Sequence, residues 1–256
     1  MASSKEVEDQ HSRGAALGSV DSGKSSTLGY LANGILDDGK GKARNTVAKH
    51  PHERVTGRTS DVSNVALIRE IEVGKKKDKK IVRKIVTLSD QCGHEGYLKT
   101  TLWGTFALRP HFNMICVASN RGVLAMTNEH LGITHAMRKP FFVLYTKVDY
   151  CWSDTIQNAE LFQLNLNSIG KKLVKLGKKP ILINDLDTLK LFVEIESMQG
   201  KGYTAYSDLL RQHRMNKIKS DKFNKELKSL MIEYKYSKEE FNRFNEKLKI
   251  FNELQT

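Results

Sequence analysis

The stretch from Gly18 to Ser25 constrains the fold of this chain most, because it matches the pattern G-x-x-x-x-G-K-[ST]. Glycines at the fixed positions let backbone N–H groups converge on phosphate oxygens, which side chains there would prevent. Lys24 would place a positive charge on the β- and γ-phosphates, and Ser25 would offer its hydroxyl to Mg²⁺. By itself the loop indicates a nucleotide but not its base. The loop residues expected to contact the nucleotide are Asp21, Ser22, Gly23, Lys24, Ser25 and Ser26.

A second motif, Thr146-Lys147-Val148-Asp149, indicates which base is bound. It follows the apolar run 141–145, which predicts a buried strand. The carboxylate of Asp149 can accept hydrogen bonds from N1–H and the exocyclic amine of guanine, whereas adenine would leave it unpaired. The stem of Lys147 can lie along the base plane. Together with the upstream phosphate loop, the motif predicts a GTP site.

A third motif, Asp90 to His94, lies between the other two and follows a β-rich run. Asp90, at the end of a predicted strand, is placed to hold Mg²⁺ as the second acidic element of a phosphate-loop enzyme. Gly93 can bring its backbone N–H against the γ-phosphate. We expect His94 to lie where an attacking water must sit, the alternative being a histidine of an ordinary surface loop.

The three motifs resemble those of the translational GTPase superfamily, the relatives of elongation factors Tu and 1-alpha. The closer resemblance is to the eukaryotic GTP-binding protein one and two family, and it extends over about residues 13 to 205. The stretches that carry this closer resemblance are 34–44, His52-Glu53, Gly57-Arg58-Thr59-Ser60, 93–101 and 126–132. The resemblance implies that Thr59 closes over Mg²⁺ and the γ-phosphate. Asp21 matches the family's loop aspartate.

Two positions depart from the family pattern. Gln91-Cys92 stands where the family has an apolar or small pair, which favours slow turnover more than weak nucleotide binding. The fifth motif is assigned to Glu196, Ser197 and Met198, after a strand predicted at 191–195. Only a backbone N–H near Ser197 is needed to meet the guanine O6.

Alternating strands and helices predict an α/β fold: a doubly wound, mainly parallel sheet forming a phosphate-loop G domain, with a short C-terminal helical extension. We expect a disordered N-terminus at 1–12, a GTP-binding domain at 13–212 and two amphipathic helices at 213–256. Those helices either pack on the G domain, which we favour, or form an arm that binds a partner. The residues after 212 are too few for a β domain of ~100 residues, so a G domain without β-barrels is expected.

The chain carries a formal net charge of +13, which favours contact with a polyanion such as RNA or the ribosome. Lysines of the segment 75–80 would form the tip of a β-hairpin, either touching RNA or merely solvated. No apolar run approaches the ~20 residues of a membrane span, so a cytoplasmic protein with no membrane partner is expected. Three cysteines without C-x-x-C spacing favour neither disulfides nor zinc.

The sequence leaves two functions open. The first is a Mg²⁺-dependent GTP hydrolase that acts as a switch, in which Lys24 and Thr59 assist catalysis and His94 orients water. The second is a non-catalytic or very slow GTP-binding module whose nucleotide shapes an interaction surface. The ligands implied by either are GTP or GDP and Mg²⁺, with Ser25, Thr59 and Asp90 as metal ligands. The sequence names no protein partner.

Overall fold

The computed structural model describes residues 7–73, 80–152 and 156–199, and five residues further along the chain: Lys222, Lys225, Glu246, Lys247 and Ile250. The chain divides into two compact units, Met1–Lys178 and Lys179–Thr256. The sheet, the phosphate loop and the motifs at Asp90–His94 and Thr146–Asp149 belong to the first unit. The residues assigned to the fifth motif belong to the second. The described residues contain no helix with the length and apolar character that crossing a membrane requires.

Five strands form one sheet in the first unit. They are β1 (Val7–Leu17), β2 (Ser63–Val73), β3 (Lys80–Asp90), β4 (Phe112–Ala118) and β5 (Phe141–Thr146). The order across the sheet is β2-β3-β1-β4-β5. β1 is parallel to β3 and β4, and β4 is parallel to β5, so that only β2 runs antiparallel, to β3. The mainly parallel α/β sheet predicted from the sequence is therefore confirmed.

The described residues contain seven α-helices. They are α1 (Lys24–Asn33), α2 (Pro51–Thr56), α3 (Leu98–Leu108), α4 (Ala125–Ala136), α5 (Asp149–Trp152), α6 (Ile156–Lys175) and α7 (Leu186–Gln199). Short 3-10 helices span Arg44–Thr46 and Glu95–Tyr97. Of these elements only α7 belongs to the second unit.

Apolar side chains fill both faces of the sheet, as a doubly wound fold requires. β4 shows the alternation directly, because Met114 and Cys116 belong to one core cluster while Ile115 and Val117 belong to the other. The first cluster also contains Leu28 of α1. The second contains Leu131 of α4 and Ile169 of α6, so the helices cover opposite faces.

The small residues at the end of β1 are explained by close packing. A Cβ on Gly14 would lie 2.6 Å from the ring of Phe112 and 2.7 Å from Leu88. Ala15, Ala16 and Leu17, which follow, are fully buried. Large neighbours thus supply the apolar volume that this central strand lacks in its own sequence.

The predicted disorder at residues 1–12 is wrong for residues 7–12, which belong to β1. Backbone pairing with β3 begins at Val7 opposite Ile81 and continues to Ala16 opposite Asp90. An ion pair between Arg83 Nε and Asp9 Oδ1, at 3.1 Å, adds a side-chain link. The hydrogen bonds between paired strands need no apolar side chains. A polar segment can therefore form a strand, although its composition predicts disorder.

The predicted strand at 191–195 is also wrong, because these residues lie within α7. Asp185 precedes that helix and accepts hydrogen bonds from Thr188 N at 2.7 Å and Thr188 Oγ1 at 2.8 Å. This cap satisfies a donor of the first helical turn and favours helix over strand. Residues 178–184, which precede this cap, have no regular structure.

The second unit begins earlier than the predicted boundary at residue 212, in line with a helix standing where the last strand was expected. The predicted two-helix extension at 213–256 lies outside the described residues, apart from the five listed above, which are helical. The hairpin predicted around residues 75–80 has its two strands confirmed by the pairing of Val73 with Lys80. The lysines of its tip, residues 75–79, lie outside the described part of the chain.

Candidate nucleotide and metal site

The phosphate loop connects β1 to α1 and closes around the ammonium group of Lys24. Lys24 is only 5% exposed, and its Nζ donates to the carbonyl oxygens of Gly18 at 3.0 Å and Ser19 at 2.8 Å. Gly18 and Gly23 have positive φ angles of 140° and 79°. A Cβ on Gly18 would collide with the Cys116 carbonyl, so glycine is required there. The loop has the conformation and the buried charge that a phosphate cradle needs.

Two side chains of α4 hold this loop from behind. Thr127 Oγ1 lies 2.8 Å from Ser19 Oγ, and Gly18 N donates to His130 Nδ1 at 2.9 Å. Burial, and then the nearby charge of Lys24, lowers the pKa of His130 to about 4, so its imidazole is neutral and can accept this bond. Sequence reasoning assigned no role to either residue, although both lie in the 126–132 stretch that resembles the family.

The three predicted metal ligands converge although they come from distant parts of the chain. Ser25 Oγ donates to Asp90 Oδ2 at 2.5 Å, Thr59 Oγ1 lies 3.1 Å from Ser25 Oγ, and Thr59 Oγ1 lies 3.4 Å from Asp90 Oδ2. Asp90 is 1% exposed, and among the described residues no group donates to its Oδ1. Two hydroxyls beside a carboxylate with an unused oxygen form an all-oxygen set that suits Mg²⁺.

Burial also sets the electrostatics of this cluster. It raises the pKa of Asp90 and lowers the pKa of Lys24, while the charge of each group offsets part of the effect on the other. Burial of an incompletely paired carboxylate is unfavourable. A divalent cation would supply the missing opposite charge, which is consistent with the assigned site.

Gly93 lies against the phosphate loop. A Cβ on Gly93 would stand 2.6 Å from Lys24 Nζ and 2.8 Å from backbone atoms of Ser19 and Val20. The unusual pair before it faces the interior, because both Gln91 and Cys92 are fully buried. Gln91 Nε2 donates to Ser89 Oγ at 3.0 Å, which gives this polar side chain an internal partner.

His94 follows the glycine and is half-buried. Its Nδ1 accepts a hydrogen bond from Gly96 N at 3.1 Å, and its ring makes an edge contact with Tyr97 at a centroid distance of 6.0 Å. These contacts define the ring orientation, and they leave Nε2 as the nitrogen free for other contacts.

The guanine-reading motif also reaches the phosphate loop. Thr146 Oγ1 donates to the Ser22 carbonyl at 2.8 Å, joining the end of β5 to the loop. Lys147 has a positive φ of 56°, and its carbonyl accepts from Ser119 Oγ at 2.5 Å. Asp149 begins α5 and is exposed, so its carboxylate can meet a ligand.

Two further residues, Asn165 and Arg121, support this region and had no predicted role. Asn165 of α6 donates from Nδ2 to the Ser119 carbonyl at 2.8 Å, thereby bracing the residue that holds Lys147. Nη1 of Arg121, in the loop after β4, lies 3.6 Å from Asp21 Oδ2. This ion pair links the phosphate loop to the loop after β4. Their positions follow from tertiary pairing and carry no fixed sequence spacing.

The fifth motif is not placed as the sequence argument required. Glu196, Ser197 and Met198 lie in the last turns of α7, not in a loop after a strand. Backbone N–H groups within a helix are already engaged by carbonyls of the preceding turn. Contact of these three residues with guanine therefore stays a prediction. The loop after a strand on which that prediction was based is absent from this part of the described chain.

The chain is similar in sequence to known GTP-binding proteins. The model of the family described as "Elongation factor Tu GTP binding domain" matches residues 9–244. Over 189 residues the chain is 40% identical to GTP-binding protein 1 of Xenopus laevis, covering 68% of this chain and 28% of that relative. Over 154 residues it is 39% identical to GTP-binding protein 2 of Mus musculus, covering 57% and 26%.

The chain thus spans about a quarter of the length of these curated relatives. Among solved structures, the bacterial selenocysteine-specific elongation factor EF-Sec is similar with a TM-score of 0.45 and 20% identity. That match covers 66% of this chain and 25% of the other.

Proposed function

Because the chain belongs to the elongation factor Tu GTP-binding domain family, we propose that it binds GTP with Mg²⁺ and hydrolyses it to GDP and phosphate as a molecular switch. The observation that carries this proposal is the convergence of Ser25, Thr59 and Asp90 within hydrogen-bond distance beside the phosphate loop. We propose that turnover is slow until a partner binds.

The residues of the site would assist phosphoryl transfer in two ways. Some neutralise charge, and others hold the reacting groups in position. Mg²⁺, when held by Ser25, Thr59 and Asp90, would neutralise charge on the β- and γ-phosphate oxygens. Lys24 would exchange its two bonds to loop carbonyls for bonds to phosphate oxygens. Gly93 leaves room for its own N–H to approach the γ-phosphate.

His94 is proposed to orient the attacking water and not to deprotonate it. Its Nδ1 accepts the Gly96 N–H, so a neutral ring carries its proton on Nε2. Nε2 then presents a donor, which can hold a water oxygen or a phosphate oxygen but cannot take a proton. The water oxygen attacks the γ-phosphorus, and the bond from that phosphorus to the β–γ bridging oxygen breaks with its electron pair staying on GDP. Both protons of the water leave with the phosphate.

A single-turnover assay with GTP tests this proposal and separates it from a non-catalytic binding module. His94→Ala should bind GTP as the parent does and hydrolyse it at least about tenfold more slowly, because a water-orienting group acts in the transition state. Lys24→Ala should lose binding itself. His135→Ala, an exposed histidine of α4, is the matched control and should behave as the parent. Tight GTP binding without turnover in the parent, with and without ribosomes, would favour the binding module.

We also propose that the first unit contacts RNA, including ribosomal RNA, through a basic surface at the amino-terminal edge of its parallel strands. The segments before β4 and β5 meet there, since Asn113 N donates to the Pro140 carbonyl at 2.9 Å. They contribute Arg109, His111, Arg138 and Lys139. The nucleotide motifs lie at the opposite, carboxyl-terminal edge.

The end of α6 extends this basic surface. The middle of α6 lies near the carboxyl-terminal edge, where Asn165 contacts Ser119, and eight residues later Leu173 packs on the apolar cluster that Phe141 also joins. The last turns and the cap that follows carry Lys171, Lys172, Lys175 and Lys178. The segments 108–113, 133–141 and 168–178 contain no Asp or Glu. Within the described part of the chain, these cations have no ion-pair partner.

Co-sedimentation with ribosomes or rRNA across a salt series tests this surface. Phosphate contacts release counterions, so binding should fall steeply with salt, by a slope of about 0.7 per phosphate on single strands. Replacing Lys171, Lys172, Lys175 and Lys178 with Gln should flatten that slope. The comparison variant neutralises Lys75, Lys76, Lys77, Lys79 and Lys80, the hairpin cluster suggested by the sequence. Absence of binding at low salt with both GDP and a GTP analogue would contradict RNA contact.

A further inference from the structure

Glu53 of α2 is a buried carboxylate with an unusual number of donors. It is 3% exposed, and a charge in such a place is unfavourable unless hydrogen bonds compensate for lost water. Its Oε2 accepts from Lys49 N at 2.8 Å and His50 N at 3.0 Å. Its Oε1 accepts from Ser60 N at 2.6 Å, Ser60 Oγ at 3.0 Å and Asp61 N at 3.1 Å.

Helix capping explains only half of this arrangement. The Oε2 contact with His50 N is the reciprocal bond of a capping box, in which a glutamate reaches back to the residue before its helix. The Oε1 contacts reach seven and eight residues forward, to Ser60 and Asp61, beyond Gly57 where the helix ends. Glu53 therefore ties together the two ends of the segment 49–61.

Every donor to Glu53 is a backbone N–H or a hydroxyl. Burial acts to raise the pKa of Glu53, but the backbone N–H groups of Ser60, His50 and Asp61 outweigh it and lower the pKa to about 2. The side chain is thus ionised throughout the physiological range. It acts as a fixed acceptor of five hydrogen bonds.

Thr59 directly precedes the residue that Glu53 holds most tightly. Its Oγ1 lies 3.1 Å from Ser25 Oγ and 3.4 Å from Asp90 Oδ2, while the next N–H, that of Ser60, donates to Glu53. The Ser60 N–H belongs to the planar peptide unit that begins at the Thr59 Cα, so holding this N–H restricts where Thr59 can lie. The segment has no regular secondary structure of its own between Gly57 and Val62 to do this.

We propose that Glu53 is the positioning residue for the predicted metal ligands: it holds segment 49–61 so that the Thr59 hydroxyl faces Ser25 and Asp90. The inference rests on the proposed function for its consequence, Mg²⁺ affinity in the GTP state. Its structural part, the placement of Thr59, stands on the hydrogen bonds alone. Glutamate is required because a carboxylate is an acceptor only, whereas the amide of Gln would aim donors at N–H groups.

The first experiment measures the Mg²⁺ concentration that half-maximally slows release of a fluorescent GTP analogue and of fluorescent GDP. Glu53→Gln should raise that concentration about tenfold for the analogue and change it little for GDP, because only the former state uses Thr59. Combined with Thr59→Ala, Glu53→Gln should add nothing, since residues that act through one contact are not additive. Full additivity would overturn the proposal, and so would equal effects on both nucleotides.

Asp61→Asn is the matched control. Asp61 lies in the same segment and accepts from Lys49 Nζ at 2.7 Å, but it is half-exposed and does not hold Ser60. It should leave the Mg²⁺ requirement unchanged. Ser60→Ala removes one donor to Glu53 and the contact with His52 Nε2 at 2.7 Å, so it supplies a milder variant should Glu53→Gln unfold. A smaller effect in the same direction is expected. The absence of any effect would contradict the proposal.

A second experiment separates this inference from the proposed function. Amide hydrogen exchange in the full chain without added Mg²⁺ or GTP should be faster at Lys49, His50, Ser60 and Asp61 in Glu53→Gln than in the parent. Unchanged exchange there would contradict the positioning role even if GTP is bound. Faster exchange in a chain that binds no GTP would support the role and contradict the proposed function.

Discussion

Gly93 illustrates how a single missing methyl group defines the site. An added Cβ would fall 2.6 Å from Lys24 Nζ and 2.8 Å from the backbone of Ser19, which cannot retreat as a side chain can. Overpacking typically costs about 1–3 kcal/mol, so Gly93→Ala should weaken GTP binding about ten- to a hundredfold. Fluorescent-nucleotide titration measures this. Gly132→Ala on α4, with nothing within 4 Å of the new Cβ, is the control and should bind GTP as the parent does.

His130 gives the site a defined sensitivity to acid. Its pKa is about 4 when folded, against 6.5 unfolded, because burial disfavours the charged ring. The unfolded chain therefore binds more protons between those values, and stability should fall by on the order of 3 kcal/mol as pH drops from 6.5 to 4. Glu53, with its pKa of about 2, adds a further loss only below 4.5.

Denaturant unfolding at several pH values checks this prediction. His130→Asn keeps an acceptor for Gly18 N–H but does not titrate, so its stability should vary less across that window. His135→Asn, exposed on the same helix, should retain the parent's slope. An identical pH dependence in His130→Asn and the parent would show that His130 does not carry the effect.

At the residue level, the sequence could predict which residues come together where chemistry demands a fixed spacing. Lys24, Ser25, Asp90, Gly93 and Thr146 could be predicted because phosphate and metal contacts impose local patterns. The structure then brought them together. The supporting residues Thr127, His130 and Asn165 could not be predicted, because any element that crosses behind a loop can supply a hydrogen bond. No periodicity marks such a residue.

At the scale of elements, Gly29 lets α1 approach the segment that follows it. A Cβ on Gly29 would collide with the carbonyl of Ala43, immediately before the 3-10 helix Arg44–Thr46. Backbone cannot move aside cheaply, so Gly29→Ala should destabilise the protein by about 1–3 kcal/mol. Equilibrium unfolding measures the change. Gly170→Ala in α6 has an open environment and should be neutral or stabilising by up to about 1 kcal/mol.

The elements themselves divide by whether local sequence and tertiary pairing agree. β5 was predicted close to its observed bounds because the apolar run 141–145 matches residues that pack in the core. The polar half of β1 could not be predicted, because its ladder with β3 depends on backbone groups. The apolar run in α7 suggested a strand, whereas the Asp185 cap was the local signal for a helix.

At the scale of the whole molecule, the first unit separates two kinds of chemistry. The carboxyl-terminal edge of its sheet carries the phosphate loop, the metal cluster and the guanine motif. The opposite edge carries an acid-free group of cations. In the proposed switch, the 49–61 segment would sense the nucleotide state through Glu53 and Thr59, and the charge at the other edge would hold a polyanion.

The central claim, that this chain reads guanine nucleotides, is tested most directly by competition of GTP, ATP and xanthosine triphosphate for a fluorescent GTP analogue. The parent should prefer GTP. Asp149→Asn should weaken GTP binding by about a hundredfold or more. This variant should prefer xanthosine triphosphate, because the carboxamide donor pairs with the extra carbonyl of xanthine. Asp187→Asn, an exposed carboxylate in the first turn of α7, should leave the preference unchanged. Equal affinity of the parent for ATP and GTP, or an unaltered preference in Asp149→Asn, would contradict the account.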